Sequence, residues 1–220
     1  MYLILYFKNI YCYLDRIYKT KRGKKMVKNW TDDTKVWSDD KNKSNVVYTP
    51  SELSNFIYDI LKDKEYEIVL DPAIGTGALT DIFYENNYII LGSDIEYSKP
   101  NCHEFIESDI DHNDFEFDNV PDLILMNPPF NGASGRRLFP EVFLRKIFEK
   151  YGYDIPVVMI TGDNFLNNNR FKSKRRKWMI ENNIEITSII TLPLDTFEDV
   201  LFNTQVLFFN IDNINPHYMF

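Results

Sequence analysis

The sequence predicts an α/β domain built on a mostly parallel, doubly wound sheet. Short apolar runs alternate along the chain with segments of helical periodicity, which is the pattern of strands joined by crossover helices. Three polar motifs, beginning at Asp71, Asp94 and Asn127, each lie at the carboxyl end of such a run. Because ligands bind outside the carboxyl ends of the strands in these sheets, we expect the three motifs to form one site.

Seven strands and four helices are predicted in chain order. Apolar runs predict strands at 67–70, 88–91, 104–106, 122–126, 155–160, 184–190 and 204–211. Pro50 predicts the start of the first helix with Thr49 as its N-cap, because proline suits the first helical position. Further helices are predicted through residues 79–83, over 140–151 and around 164–180.

Composition and charge are typical of one soluble domain. The chain has 220 residues, of which 44% are hydrophobic. Its net charge of −8 argues against an indiscriminate nucleic-acid coat, although basic residues cluster in 1–25 and 170–177. We expect residues 1–45 to be a poorly determined arm and 46–214 to be the folded domain. The apolar start, residues 1–7, is too short for a membrane span, so we expect a cytoplasmic, intracellular protein.

The first motif, Asp71-Pro-Ala-Ile-Gly75-Thr-Gly77, joins a predicted strand to a predicted helix. Its glycines allow a tight turn and let backbone N–H groups approach a ligand, although a tight turn without a ligand is an alternative. Asp94 ends the next strand. Its carboxylate suits the two adjacent hydroxyls of a ribose, or it could cap a helix.

Asn127-Pro128-Pro129-Phe130 is the most specific motif. Its prolines remove two N–H donors and stiffen the turn after a strand. The Asn127 side chain and the Pro128 carbonyl are then two acceptors that fit the two hydrogens of an amino group, which makes the nitrogen lone pair available. Phe130 offers a flat apolar face to a planar ring. An Asn-Pro turn with a core phenylalanine is the alternative.

In this order the motifs resemble those of the S-adenosylmethionine-dependent methyltransferases that modify amino groups, particularly the adenine-N6 DNA methyltransferases. The resemblance rests on seven segments: Tyr48-Thr49-Pro50, 71–79, Asp94, Ser108-Asp109-Ile110, 127–130, 192–197 and 204–209. It implies a Rossmann-like class I methyltransferase fold with an antiparallel last strand. It also implies S-adenosylmethionine as cofactor and site-specific methylation of adenine N6 in DNA, as in restriction–modification.

The resemblance also implies the site residues. The implied catalytic residues are Asn127, Pro128, Pro129 and Phe130. The implied cofactor-binding residues are Tyr48, Thr49, Asp71, Ala73, Gly75, Gly77, Asp94, Ile95, Asp109 and Ile110. No metal is expected, because a sulfonium methyl group needs none and the histidines are scattered.

The motifs do not indicate how a DNA target is recognised, because no insertion between them is long enough for a recognition domain. We expect DNA to be met by seven basic side chains, Arg136, Arg137, Arg170, Lys172, Lys174, Arg175 and Arg176, or by a separate recognition subunit. A solvated loop and helix face is the alternative for these residues. The alternative functions are methylation of an amino group in RNA or in a protein glutamine, and a cofactor-binding subunit that needs a recognition partner.

Overall fold

The computed structural model describes residues 47–110, 115–130, 138–167, 173–197 and 203–220. The strands in these ranges are β1 (Ile68–Asp71), β2 (Ile89–Asp94), β3 (Glu104–Glu107), β4 (Leu123–Met126), β5 (Val157–Gly162), β6 (Ile186–Thr191), β7 (Thr204–Phe209) and β8 (His217–Met219). The helices are α1 (Ser51–Leu61), α2 (Asp81–Glu85), α3 (Phe139–Tyr151), α4 (Asn164–Asn167) and α5 (Lys174–Glu181).

All eight strands form one sheet in the order β3-β2-β1-β4-β5-β7-β6-β8. β7 is antiparallel to both of its neighbours, and every other pairing is parallel. This confirms the predicted sheet, including the antiparallel orientation of the last of the seven predicted strands. The eighth strand, His217–Met219, was not predicted, and it carries the sheet past residue 214. It is a three-residue edge strand with little burial, so it leaves no apolar pattern in the sequence.

Two apolar clusters cover the two faces of the sheet. Leu123 and Leu125 of β4 pack into one cluster with the first two helices, whereas Ile124 and Met126 pack into the other with α3. All four side chains of β4 are buried for this reason. A strand covered on both faces reads as a continuous apolar run, which is why the central strands could be predicted.

The helix boundaries differ from the predicted ones for local reasons. The helix α1 begins at Ser51, so Pro50 and not Thr49 is its N-cap, and the Thr49 hydroxyl oxygen instead accepts a hydrogen bond from Asn127. The helix predicted around 164–180 is two helices in the described residues, α4 and α5. Ser173 begins the second of them, because its side chain accepts the N–H of Arg176.

We predict that Gly92→Ala destabilises the domain by about 1–3 kcal/mol, the usual cost of overpacking a core. A Cβ atom at Gly92 would lie 2.6 Å from Cδ1 and 3.2 Å from Cγ2 of Ile74, which is only 4% exposed and has little room to move. Urea unfolding measures the loss. The double variant Gly92→Ala/Ile74→Val lacks the Cδ1 atom of Ile74 and should recover part of the lost stability. Equal stability of Gly92→Ala and wild type would contradict the close packing.

Candidate functional site

The glycine turn after β1 is tied to the end of β2 by one carboxylate. The backbone N–H of Gly75 donates to Oδ2 of Asp94 at 2.8 Å, and the N–H of Ile95 donates to Oδ1 at 2.7 Å. Because β1 and β2 pair in parallel, both corners open at the same edge of the sheet. Each carboxylate oxygen keeps a second lone pair, so Asp94 can still accept hydroxyl groups.

The turn itself depends on left-handed backbone conformations. Gly75 and Gly77 have φ angles of 51° and 89°. A Cβ atom at Gly77 would lie 3.0 Å from Oδ1 of Asp81 and 3.4 Å from Pro100, so this position requires glycine. At Gly75 the same atom would meet only the ring of Tyr48, at 3.9 Å. The structure thus brings the predicted residues Tyr48 and Gly75 together beside the turn.

Asp71 lies beneath the turn rather than on its surface. The side chain is 1% exposed, and its Oδ1 accepts the N–H of Ala73 at 2.9 Å. Burial raises the pKa of Asp71 to about 8, which the hydrogen bond from Ala73 opposes and the charge of Asp94 supports. Burial thus favours the neutral form of Asp71, and the hydrogen bond with Ala73 gives this side chain a role in shaping the turn.

The predicted acidic motif at 108–110 lies beside the same corner. The N–H of Ser108 donates to the carbonyl of Asp94 at 2.8 Å, which sets this segment next to β2. Asp109 is half-buried there. Ile110 is 3% exposed and packs into the apolar cluster on the α3 side, so its side chain is a core residue.

Asn127 follows β4, and β4 is the other neighbour of β1 in the sheet. Its side-chain nitrogen donates to the carbonyl of Val47 at 3.0 Å and to Oγ1 of Thr49 at 3.1 Å. Pro128 is buried and Pro129 is exposed. The contact with Val47 could not be predicted, because a backbone carbonyl leaves no signal in the residue type.

Phe130 does not present the free stacking face that its position predicts. The ring is 8% exposed and belongs to the apolar cluster on the α1 side. It packs edge-on against Phe197, with ring centroids 6.3 Å apart and an interplanar angle of 72°. Burial of both rings removes them from water, and the distant Phe197 could not be identified as this partner from the sequence.

The structure corrects the prediction that Arg175 contacts DNA. Its side chain is 11% exposed and pairs with Glu141 at 2.7 Å, and its guanidinium lies 4.4 Å from the centroid of the Phe165 ring. Burial alone would raise the pKa of Glu141, but hydrogen bonds from Arg175 and Arg145 outweigh it and lower that pKa. Arg175 is therefore an internal ion-pair partner and is not available to phosphates.

The other basic positions divide into two groups. Lys174 is exposed and Arg176 is partly exposed on α5. Four positions lie outside the described residues: Arg136, Arg137, Arg170 and Lys172. Across the described ranges, no group of three or more histidine, cysteine or acidic side chains could hold a metal ion. Over the same ranges, every helix is too short or too polar to cross a bilayer.

We predict that the buried Asp71 makes stability fall as pH rises. Asp71 has its usual pKa of 3.8 in the unfolded chain and a pKa of about 8 in the folded protein. The folded state therefore binds this proton more tightly, so the free energy of unfolding decreases progressively as the pH rises between the two values and is constant above them. Urea unfolding of wild type and Asp71→Asn should therefore diverge by up to about 1.4 kcal/mol per pH unit. A constant difference between the two proteins across the window would contradict the buried acid.

Comparisons with known proteins extend this description. Residues 35–87 match the sequence profile of the N-6 DNA Methylase family, which covers well under half of the chain. No curated protein matches the chain in sequence. Solved structures do match it.

One match is a protein from Listeria monocytogenes described as a class I S-adenosylmethionine-dependent methyltransferase. It has a TM-score of 0.57 and 13% identity, over 80% of this chain and 67% of that one.

Two further structures are subunits of restriction–modification systems. The modification subunit described for a type I restriction enzyme of Vibrio vulnificus has a TM-score of 0.58 and 18% identity, over 81% of this chain and 48% of that one. The type I methyltransferase subunit of Streptococcus thermophilus has a TM-score of 0.55 and 18% identity, over 79% and 47%. This chain spans about half the length of these two subunits. The resemblance drawn from the motifs is thereby confirmed: the chain has the class I S-adenosylmethionine-dependent methyltransferase fold and carries the N-6 DNA methylase signature on residues 35–87.

Proposed function

We propose that this chain transfers the methyl group of S-adenosylmethionine to the exocyclic amino group of adenine in DNA. The observation that carries the proposal is the Asn127 corner, which stands at the carboxyl edge of the sheet on the strand next to the glycine turn. The match of residues 35–87 to the N-6 DNA methylase profile supports the same acceptor.

The residues at the edge suit the proposed cofactor. Asp94 keeps a lone pair on each oxygen for the two ribose hydroxyls, and the turn at Gly75 is open except for the Tyr48 ring. Ile95 is 70% exposed directly after Asp94, so an apolar side chain stands where a nucleobase face would lie. Asp109 would accept a hydrogen bond from the amino group of that base. The cofactor supplies a methyl group activated by its sulfonium.

The chain's part in the reaction is to hold the acceptor amino group. Oδ1 of Asn127 and the carbonyl oxygen of Pro128 would each accept one hydrogen of that group, which turns the nitrogen lone pair toward the methyl carbon. With the amino group held in this way, its nitrogen would accept the methyl group that the sulfonium supplies, and its surplus proton would leave to water. Phe130 would serve as a stacking face only after its ring separates from Phe197.

DNA would be met by weak, sequence-independent contacts on this chain. Lys174 and Arg176 on α5 are the described residues proposed to contact phosphates, which give affinity without sequence preference. An adenine in a duplex must be flipped out to reach Asn127. We propose that a separate subunit supplies target recognition, since the two restriction–modification relatives are themselves subunits of larger systems.

We predict that Asn127→Ala lowers methyl transfer to adenine by about 100-fold or more, the cost of removing one preorganised group at a reacting centre. Cofactor binding, measured by calorimetry, should persist because Asn127 does not form the glycine turn. Sequencing of modified bases in DNA from cells that carry wild type or the variant gives the direct readout. Radiolabelled DNA, RNA and protein fractions from the same cells test the alternative acceptors. Equal adenine methylation by both proteins would remove Asn127 from the mechanism.

A second prediction distinguishes Lys174, which we propose contacts phosphates, from Arg175, which stabilises the fold through its ion pair. Lys174→Gln should weaken DNA binding and reduce the slope of log affinity against log salt by about one, with stability unchanged. Arg175→Gln should instead lower the free energy of unfolding by about 1–3 kcal/mol, because Glu141 loses its buried partner. Salt titrations of DNA binding and urea unfolding measure the two effects. A loss of stability in Lys174→Gln would contradict the role proposed for Lys174. A reduced salt slope with full stability in Arg175→Gln would contradict the role given to Arg175.

A further inference from the structure

The orientation of the Asn127 amide is determined by its neighbours. The carbonyl oxygen of Val47 carries no hydrogen, so the Asn127 atom 3.0 Å from it can only be the nitrogen of the side-chain amide. The second hydrogen of that nitrogen is taken by Oγ1 of Thr49 at 3.1 Å. Both N–H groups of the amide are thus used inside the protein, and Oδ1 is the atom left for an acceptor substrate.

The segment that makes these contacts is itself anchored. Thr49 is 6% exposed and precedes α1, whose Leu53 and Ile57 are fully buried. Ser54 on the same helix donates from Oγ to the carbonyl of Ala78 at 2.7 Å, next to the glycine turn. The anchored helix therefore holds the Thr49 hydroxyl against Asn127, although the two residues are 78 positions apart in the sequence.

We propose that Thr49 is a positioning residue for the methyl transfer: its hydroxyl, together with the Val47 carbonyl, locks the Asn127 amide with Oδ1 toward the acceptor amino group. This inference rests on the proposed function. It gives Thr49 a task different from the cofactor contact implied by the family resemblance, because the buried hydroxyl acts on Asn127. Without the hydroxyl, one N–H of the amide loses its partner and the amide can turn away from the productive orientation.

The test compares Thr49→Val, which keeps the branched shape without the hydroxyl, with Thr49→Ser, which keeps the hydroxyl. We expect Thr49→Val to lower kcat roughly 5- to 10-fold, the equivalent of one hydrogen bond, and Thr49→Ser to recover most of the rate. KM for DNA and the Kd for the cofactor should be unchanged. Thr187 lies near the start of β6 and therefore at the edge of the sheet opposite Asn127. Thr187→Val is the matched control for removal of a threonine hydroxyl and should keep the wild-type kcat.

A second readout does not depend on turnover. In the NMR spectrum of the protein alone, both Asn127 side-chain amide protons should be protected from solvent exchange in wild type, and one should lose protection in Thr49→Val. Thermal unfolding of each variant checks that the fold is kept. Unchanged protection in a folded Thr49→Val protein would overturn the proposal.

A double-variant cycle separates failure of this inference from failure of the proposed function. If the wild-type protein does not methylate adenine in DNA, the proposed function fails. If it does and Asn127→Ala is equally active, the function stands and the inference, which acts through Asn127, is overturned. If Asn127→Ala is impaired and Thr49→Val lowers kcat by the same factor with or without Asn127, Thr49 acts elsewhere and the inference alone is overturned. The inference expects no further effect of Thr49→Val in the Asn127→Ala protein. A raised cofactor Kd with unchanged kcat in Thr49→Val would return Thr49 to the cofactor site and also overturn it.

Discussion

The candidate site depends on the parallel pairing of β1 with β2 on one side and β4 on the other. Parallel strands end at the same edge, so the three corners that follow them at Asp71, Asp94 and Asn127 open side by side. The pairing is stabilised from both faces, because the central strands are buried under apolar clusters on each side. Polar groups therefore lie at this edge while the side chains of the central strands remain buried.

Two side-chain connections then make the edge rigid. Asp94 accepts the N–H of Gly75 and so joins the first two corners. Asn127 donates to the 47–49 segment and so joins the third corner to the start of α1. Each connection links residues that are distant in sequence. Asp94 keeps a second lone pair on each oxygen, and Asn127 keeps Oδ1 as an acceptor. The same hydrogen bonds that build the edge thus prepare it for hydroxyl and amino groups.

The fold was predictable because central parallel strands read as apolar runs, and the short corners after them carry recognisable residue types. The positions of Asp94 and Asn127 followed from this, whereas the surroundings of Phe130 and Arg175 did not. Phe130 is covered by Phe197 and Arg175 is paired with Glu141, and both partners come from remote segments. A side chain's exposure depends on such tertiary contacts, so a motif can identify an aromatic or a cation without telling which way it faces. Edge strand β8 was not predicted because it has three residues, of which only Tyr218 packs against the apolar cluster, so it leaves no apolar run in the sequence.

The two aspartates at the glycine turn show how different burial gives one residue type two different roles. Asp94 is partly exposed and accepts two backbone N–H groups, whereas Asp71 is buried and accepts one. Two ionised carboxylates beside the same turn would repel each other, and the buried one has the larger desolvation cost. Both effects raise the pKa of Asp71, to about 8. Asp71 thus shapes the turn from beneath through the N–H of Ala73, whereas the N–H groups of Gly75 and Ile95 hold the Asp94 carboxylate at the edge of the sheet where we propose that a ribose binds.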